Sequence, residues 1–138
     1  MSHTASLAAA FAPHQAIAEQ LLPHAVSGND GSHDAAHLIR VWKNALRIHG
    51  SEGGDLRIIS AAVLLHDCVS VEKNSPDRAH ASRLAAEKAF ELLDELGWRT
   101  AEITAVAHAI VTHSFSANIP PESLEAKILQ DADRLDAI

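Results

Sequence analysis

The chain has 138 residues, of which 47% are hydrophobic and 21% are charged, a composition typical of one soluble globular domain. Its formal net charge of -7 excludes a general basic surface for nucleic-acid polymers or for anionic membranes. The single cysteine excludes an internal disulfide, and we identify neither a membrane-spanning run nor a signal peptide, so we expect a cytoplasmic protein.

Taken in chain order, the periodic segments are helical. Alternating strand patterns are absent, and glycine and proline cluster between the periodic segments, which predicts an all-α fold. The six predicted helices cover residues 5–25, 33–49, 55–67, 77–96, 100–114 and 120–138. Pro13 leaves open a break in the first helix, whereas Asp55 and Thr100 are expected to cap the third and the fifth. Pro120 and Pro121 are expected to open the sixth.

The third predicted helix ends in two residues with metal-binding side chains. Residues 58–65 are apolar on nearly all sides of this helix, which indicates that other helices enclose it. Asp67 follows His66 directly, so its carboxylate would lose hydration and would face the negative end of the helix dipole. A bound cation would offset both costs, and so would a salt bridge or a solvent-exposed helix end.

Two other helices place polar side chains among apolar ones. His37 lies on an apolar stripe of the second predicted helix, where a lone histidine is most often an ordinary core residue. Asp133 lies on an apolar stripe of the sixth, where a carboxylate needs a partner. Asp131 lies on a different apolar stripe of the same helix, so periodicity does not choose between the two aspartates. Imidazole and carboxylate ligands of this kind suit Mn²⁺, Fe²⁺, Co²⁺, Ni²⁺ or Zn²⁺.

The order of these residues resembles the H…HD…D signature of the HD superfamily of metal-dependent phosphohydrolases. Residues 34–41 and 61–67 resemble the first-ligand helix and the central helix of the family. Residues 73–78, 81–86, 113–117 and 130–135 resemble one bacterial subgroup of small stand-alone HD proteins. The resemblance implies an HD-domain-like bundle of about six helices, with a metal site between the central ones. The implied ligands of the divalent ion are His37, His66, Asp67 and Asp133. Neither the residues nor the resemblance distinguishes Mn, Fe, Co, Ni, Zn and Mg.

The same resemblance settles two choices that the residues alone leave open. The early His33–Asp34 pair is not the metal-binding pair, and Asp133 rather than Asp131 is the last ligand. Members of the subgroup continue with further helix beyond the position at which this chain stops. We therefore expect a single HD domain over residues 1–138 that lacks a C-terminal continuation, which would leave its site less covered.

The chemistry implied for such a site is attack of metal-bound water on phosphorus. Asp67 is the candidate that would orient or deprotonate this water in addition to binding the metal. His113 lies on an inward stripe of the fifth predicted helix. Three roles are open to it: binding of substrate phosphate, general acid catalysis, or ligation of a second metal ion.

Three basic residues follow the HD pair within one predicted loop and helix start, namely Lys73, Arg78 and Arg83. They would stabilise the anionic oxygens of a substrate as its leaving group departs, with Lys73 as a catalytic point charge and the two arginines in bidentate pairs. The alternative is a solvated basic face. Asn74 would donate a hydrogen bond to the substrate or would only end the loop.

Together these residues predict a phosphohydrolase that acts on a phosphate ester or anhydride, and the resemblance favours a nucleotide substrate. One alternative is a ligand-sensing HD module that retains the metal with little or no turnover. Another is a structural bundle in which arginines, for example Arg40 and Arg134, pair with the inward aspartates. The expected partner is a small phosphorylated molecule, and neither nucleic-acid polymers nor membranes are expected. A homodimer is left open.

Overall fold

The computed structural model describes residues 3–25, 31–69, 80–114 and 119–136, and every regular element in those ranges is helical. The seven α-helices are α1 (His3–Ala8), α2 (Gln15–Ala25), α3 (Gly31–Glu52), α4 (Leu56–Leu65), α5 (Ala81–Glu95), α6 (Thr100–Thr112) and α7 (Leu124–Asp136). A 3₁₀ turn, Ala9–Phe11, lies between α1 and α2. The all-α prediction is confirmed for these parts of the chain. None of their helices combines the length and the apolarity that crossing a bilayer requires.

The first predicted helix is interrupted near Pro13, the position at which a break had been left open. Because proline cannot donate a backbone hydrogen bond, α1 and α2 form separate helices on either side of it. The predicted cap of α6 is wrong: Thr100 is the first helical residue, and Arg99 holds the cap position. The backbone N–H of Arg99 donates to Oε1 of Glu102 over 3.3 Å. A side chain of α6 itself therefore satisfies the backbone N–H at the cap position.

The start of the last helix also differs from prediction. Residues 119–122 have no regular structure, and α7 begins at Leu124 rather than at Pro120. The hydroxyl of Ser123 accepts a hydrogen bond from the backbone N–H of Ala126 over 3.1 Å. A serine hydroxyl satisfies a free N–H at a helix start better than a proline at the first position can, so the cap determines where α7 begins.

Two consecutive glycines make the turn between α3 and α4. The helix α3 continues past residue 49, where the second predicted helix was expected to end, and stops before Gly53 and Gly54, whose φ angles are 84° and 101°. These angles lie in the left-handed region that glycine adopts without strain. Asp55 follows and accepts a hydrogen bond from the backbone N–H of Arg57 over 2.9 Å, so its predicted capping role is confirmed.

The core is organised around α4. Every residue from Ile59 to Leu65 is buried, and α4 packs against α2, α3, α6 and α7. Phe11 and Trp42 add a stacked pair to the same core, with ring centroids 5.9 Å apart. The prediction that other helices enclose the third predicted helix is confirmed. Since α4 is buried on all sides, the residues at its C-terminal end enter the centre of the bundle.

Hydrogen bonds hold α7 against both α3 and α6. Nδ2 of Asn44 on α3 donates to the carbonyl oxygen of Ala132 over 3.1 Å. Nε2 of Gln130 on α7 donates to the carbonyl oxygen of Thr112, at the end of α6, over 3.1 Å. The helix α7 therefore bridges α3 and α6 beside the end of α4, and side chains from these four helices can meet.

Candidate metal centre

Four of the predicted site residues meet where α3, α7 and the end of α4 come together. Nε2 of His37 lies 3.5 Å from Oδ2 of Asp67 and 3.3 Å from Oδ1 of Asp133. Nε2 of His66 lies 3.3 Å from each of the same two oxygens. Two nitrogens and two oxygens thus alternate in a ring of short contacts, and one ligand atom from each of His37, His66 and Asp133 lies within 4.8 Å of the others. Atoms bound at about 2.1 Å to a common ion stand about 3.0 to 3.4 Å apart, so this spacing fits a metal centre.

A buried nitrogen is the clearest sign that this cluster suits a cation. His66 is 1% exposed, and its Nε2 has no hydrogen-bond partner among the described residues. A buried polar atom without a partner carries a desolvation cost that a ligand or an ion can remove. Nδ1 of His66 lies 2.6 Å from the carbonyl oxygen of Val63, which can only accept, so Nδ1 carries a proton and Nε2 is the nitrogen available to an ion. Against burial, the charges of Asp67 and Asp133 raise the pKa of His66, so a proton competes with an ion for Nε2.

His37 obtains its orientation from another helix. Its Nδ1 lies 2.6 Å from Oδ2 of Asp136, 99 residues later in the chain. Asp136 is itself held by Arg40, whose Nε and Nη2 donate to Oδ1 and Oδ2 over 2.6 and 3.2 Å. Asp136 was not among the residues predicted for the site. Its signal was the position three residues after Asp133, which places both carboxylates on the same face of α7.

The charges of the cluster stabilise one another. Hydrogen bonds to Asp133, and then to Asp67, raise the pKa of His37 to about 10. Although about half of the Asp67 side chain is exposed, desolvation of its buried part opposes ionisation, and His66 and His37 outweigh this effect and lower the pKa of the carboxyl to about 2. Despite burial, the same two histidines lower the pKa of Asp133. The carboxylates therefore stay ionised, and protons on the imidazoles occupy the position that a divalent cation would take.

His113 joins the same cluster from the end of α6. Its ring lies edge-on to that of His66, with centroids 4.9 Å apart, and one ligand atom from each of His113, His66 and Asp67 lies within 4.8 Å of the others. Nδ1 of His113 pairs with the carbonyl oxygen of Ile110, which leaves Nε2 unprotonated in the neutral ring. Burial, and then the neighbouring His66, lower the pKa of His113.

The residue that follows the HD pair is anchored to α5. Nζ of Lys88 donates to the carbonyl oxygen of Cys68 over 3.2 Å, and Sγ of Cys68 donates to the carbonyl oxygen of Ala85 over 3.5 Å. Burial raises the pKa of the Cys68 thiol to about 11, so it stays neutral at physiological pH. The contacts fix the segment that carries Asp67 and bring the positive charge of Lys88 close to it.

The remaining predicted residues are placed as follows. Arg83 is exposed on α5, beside an apolar groove of about 400 Å³ between α5 and α6 that Phe90, His108 and Val111 also line. This groove is not lined by His37, His66, Asp67 or Asp133. Asp131, the alternative aspartate of α7, is exposed. The residues outside the described parts of the chain are Lys73, Asn74 and Arg78, and the side chains of His33 and Asp34 are also outside them.

The architecture and the cluster can be compared with known proteins. The HD domain family matches residues 34–138. An uncharacterized protein of Bacillus subtilis (strain 168), YpgQ, is 34% identical over 117 residues, which are 82% of this chain and 55% of that protein. The chain thus spans about half the length of this relative.

A solved structure shows the same architecture. The crystal structure of a predicted HD superfamily hydrolase from an uncultured Thermotogales bacterium aligns with a TM-score of 0.67 at 34% identity. The alignment covers 91% of this chain and 68% of the other. HD domains bind divalent metal ions, and the described histidines and aspartates form groups that could hold one. The chain therefore belongs to the HD domain family, as the order of its histidines and aspartates implied.

Proposed function

We propose that this chain is a metal-dependent phosphohydrolase that cleaves a phosphate ester or anhydride, with nucleotides as the substrate class. The observation that carries the proposal is the buried, unpartnered Nε2 of His66 beside two ionised carboxylates and a second imidazole nitrogen. Such a donor set suits a divalent ion of the series from Mn²⁺ to Zn²⁺, or Mg²⁺. The similarity to a structure described as a predicted HD superfamily hydrolase supports a hydrolytic reaction.

The proposed ligands are His37, His66, Asp67 and Asp133. When bound, a divalent ion supplies a Lewis acid for phosphoryl oxygens and makes water more acidic. The side chain of Asp67 is 54% exposed, so this carboxylate lies on the side of the cluster that substrate and water can reach. Its pKa of about 2 makes it a weak base, which favours orienting the attacking water over removing its proton.

His113 is better suited to receive a proton. Its Nδ1 proton is engaged by the Ile110 carbonyl, and its lowered pKa keeps Nε2 unprotonated near neutral pH. We assign to Nε2 of His113 the role of accepting a proton from the attacking water, in preference to pairing with phosphate as a cation. General base catalysis of this kind contributes about 10²- to 10⁴-fold to a reaction rate.

The anionic oxygens of the substrate need positive charge nearby. We assign this role to Lys73, Arg78 and Arg83, with Asn74 as a hydrogen-bond donor. Arg83 is exposed on α5, so its guanidinium is accessible to an anion from solvent, and the groove beside it is not lined by any of the four proposed ligands. Lys88, which binds the Cys68 carbonyl, adds positive charge one residue beyond Asp67.

Two measurements on one preparation test the proposal. Protein purified without a histidine tag is analysed for metals, and phosphate and pyrophosphate release from a panel of nucleotides is followed with added Mn²⁺. We expect close to one metal ion per chain and turnover of at least one nucleotide. Metal without turnover would support the ligand-sensing alternative instead. Absence of metal after reconstitution would contradict both.

A further inference from the structure

We infer that Asp136, clamped by Arg40, is a positioning residue that holds His37 with its Nε2 lone pair facing the metal. The inference deepens the proposed function and rests on the same metal centre. It assigns a role to two residues of α3 and α7 that are outside the ligand set. Its basis is the hydrogen-bond geometry around the three histidines of the cluster.

An imidazole that binds a metal through one nitrogen needs a partner for the N–H on the other, because this partner sets both the tautomer and the ring orientation. At the ends of α4 and α6 that partner is local. His66 pairs with the carbonyl of Val63, and His113 with the carbonyl of Ile110, each three residues earlier. His37 lies inside α3, and its Nδ1 pairs instead with Oδ2 of Asp136 over 2.6 Å.

Both oxygens of Asp136 are occupied by these contacts. Oδ1 accepts from Nε of Arg40 over 2.6 Å, and Oδ2 accepts from Nη2 of Arg40 over 3.2 Å as well as from His37. The carboxylate is only 11% exposed, although Arg40 is half-exposed. Arg40 follows His37 by three residues on α3, so the two side chains lie on the same face of this helix. Both donate hydrogen bonds to the carboxylate of Asp136.

The contact between Arg40 and Asp136 gives the three carboxylates of the cluster two different roles. Asp67 and Asp133 direct oxygens to Nε2 of the histidines, where the metal belongs. Asp136 lies on the opposite side of the His37 ring, at Nδ1, and its charge is compensated by Arg40. Asp136 therefore orients the proposed ligand His37 and does not itself bind the ion.

The same pair of helices offers a matched control. Asn44 of α3 donates to the carbonyl of Ala132 on α7 without touching any histidine. Asn44→Ala thus weakens the α3–α7 contact while leaving the His37 partner in place. Asp136→Ala removes the partner, and Asp136→Asn keeps an oxygen that can accept from Nδ1 but loses the charge.

The test is Co²⁺ binding to the full chain and to the three variants, measured by competition with a chelator and by the visible absorption of bound Co²⁺. We expect Asp136→Ala to weaken binding about 10- to 100-fold, the range typical of lost outer-shell partners, and to alter the absorption spectrum. We expect a smaller loss in Asp136→Asn. Asn44→Ala should keep both the affinity and the spectrum of the unaltered chain.

Equal losses in Asp136→Ala and Asn44→Ala would overturn the positioning role in favour of general α3–α7 packing, and so would unchanged binding in Asp136→Ala. If Asp136→Ala does not fold, Asp136→Asn decides: weaker Co²⁺ binding with an unchanged melting temperature of the metal-free protein supports the role, and unchanged binding overturns it. An unaltered chain that binds no Co²⁺ would refute the metal centre, and with it the role of Asp136.

Discussion

At the ends of α4 and α6, His66 and His113 are oriented by carbonyls of their own helices, whereas His37, within α3, is oriented by Asp136 of α7. The first region is deeply buried, with His66 1% exposed. The second is more open, since the side chain of His37 is 27% exposed and that of Arg40 is 53% exposed. One half of the centre thus follows from helix geometry, and the other half depends on the docking of two helices.

Removing Asp67, which faces the histidines of both regions, is expected to have the largest effect. Asp67→Ala should weaken metal binding by more than about 100-fold, because losing an outer-shell partner alone costs about 10- to 100-fold. Hydrolysis should be lost as well. Metal content by elemental analysis and phosphate release measure the two effects. Asp131→Ala, which removes an exposed carboxylate of α7, should change neither. A metal-loaded, active Asp67→Ala protein would contradict the site.

In the region at the ends of α4 and α6, the role of general base assigned to His113 can be tested. His113→Ala should lower kcat by at least about 100-fold, as expected for loss of a general base, and should leave Co²⁺ affinity nearly unchanged. Steady-state kinetics and chelator competition on the same preparation separate the two quantities. A large loss of metal with the loss of kcat would show instead that His113 ligates the ion.

The more open region should make metal affinity depend on pH. His37 has its pKa raised to about 10 in the metal-free cluster, so a cation must displace its proton at any lower pH. The affinity should therefore rise by at least about tenfold per pH unit from pH 6 to pH 9, and more steeply where His66, whose pKa the neighbouring carboxylates raise despite burial, also carries a proton on Nε2. Chelator competition across this range, corrected for protonation of the chelator, measures the slope. A slope that disappears above pH 7 would show that the pKa of His37 is near its ordinary value.

The smallest effect is expected outside both regions. Arg83→Ala should raise KM up to about fivefold and leave metal content unchanged, because an exposed ion pair contributes at most about 1 kcal/mol. Initial rates with the best nucleotide of the panel measure this change. The control is Arg47→Ala, an exposed arginine ten residues beyond His37 on α3. If the two variants behave alike, Arg83 has no role in binding the substrate.

The sequence predicted the helical architecture and the region of the cluster for identifiable physical reasons. The all-round apolar run of α4 is encoded locally, and a carboxylate that follows it needs compensation wherever the neighbouring helices lie. Periodicity also placed His37 and Asp133 on inward faces, although it could not choose between Asp133 and Asp131. In the structure, Asp131 is exposed and Asp133 faces the histidines.

Other features depend on contacts that no local pattern contains. The pairing of His37 with Asp136 joins positions 99 residues apart, so it exists only once α3 and α7 have docked. Helix starts were missed for a smaller reason. Thr100 and Pro120 are both suited to a helix start, but another group forms the capping hydrogen bond at each helix. The Glu102 side chain accepts it at α6, and the Ser123 hydroxyl accepts it at α7.

The position of two functional carboxylates on one face of α7 links ion binding to the local opening of this helix. Asp133 would hold the ion directly and Asp136 would hold a ligand, so detaching α7 would release both at once. By thermodynamic linkage, an ion at 100 times its Kd stabilises the docked state by about 2.7 kcal/mol. Amide hydrogens of α7 should then exchange with solvent about 100-fold more slowly when the ion is bound. The C-terminal helix would thus report occupancy of the site through its own stability.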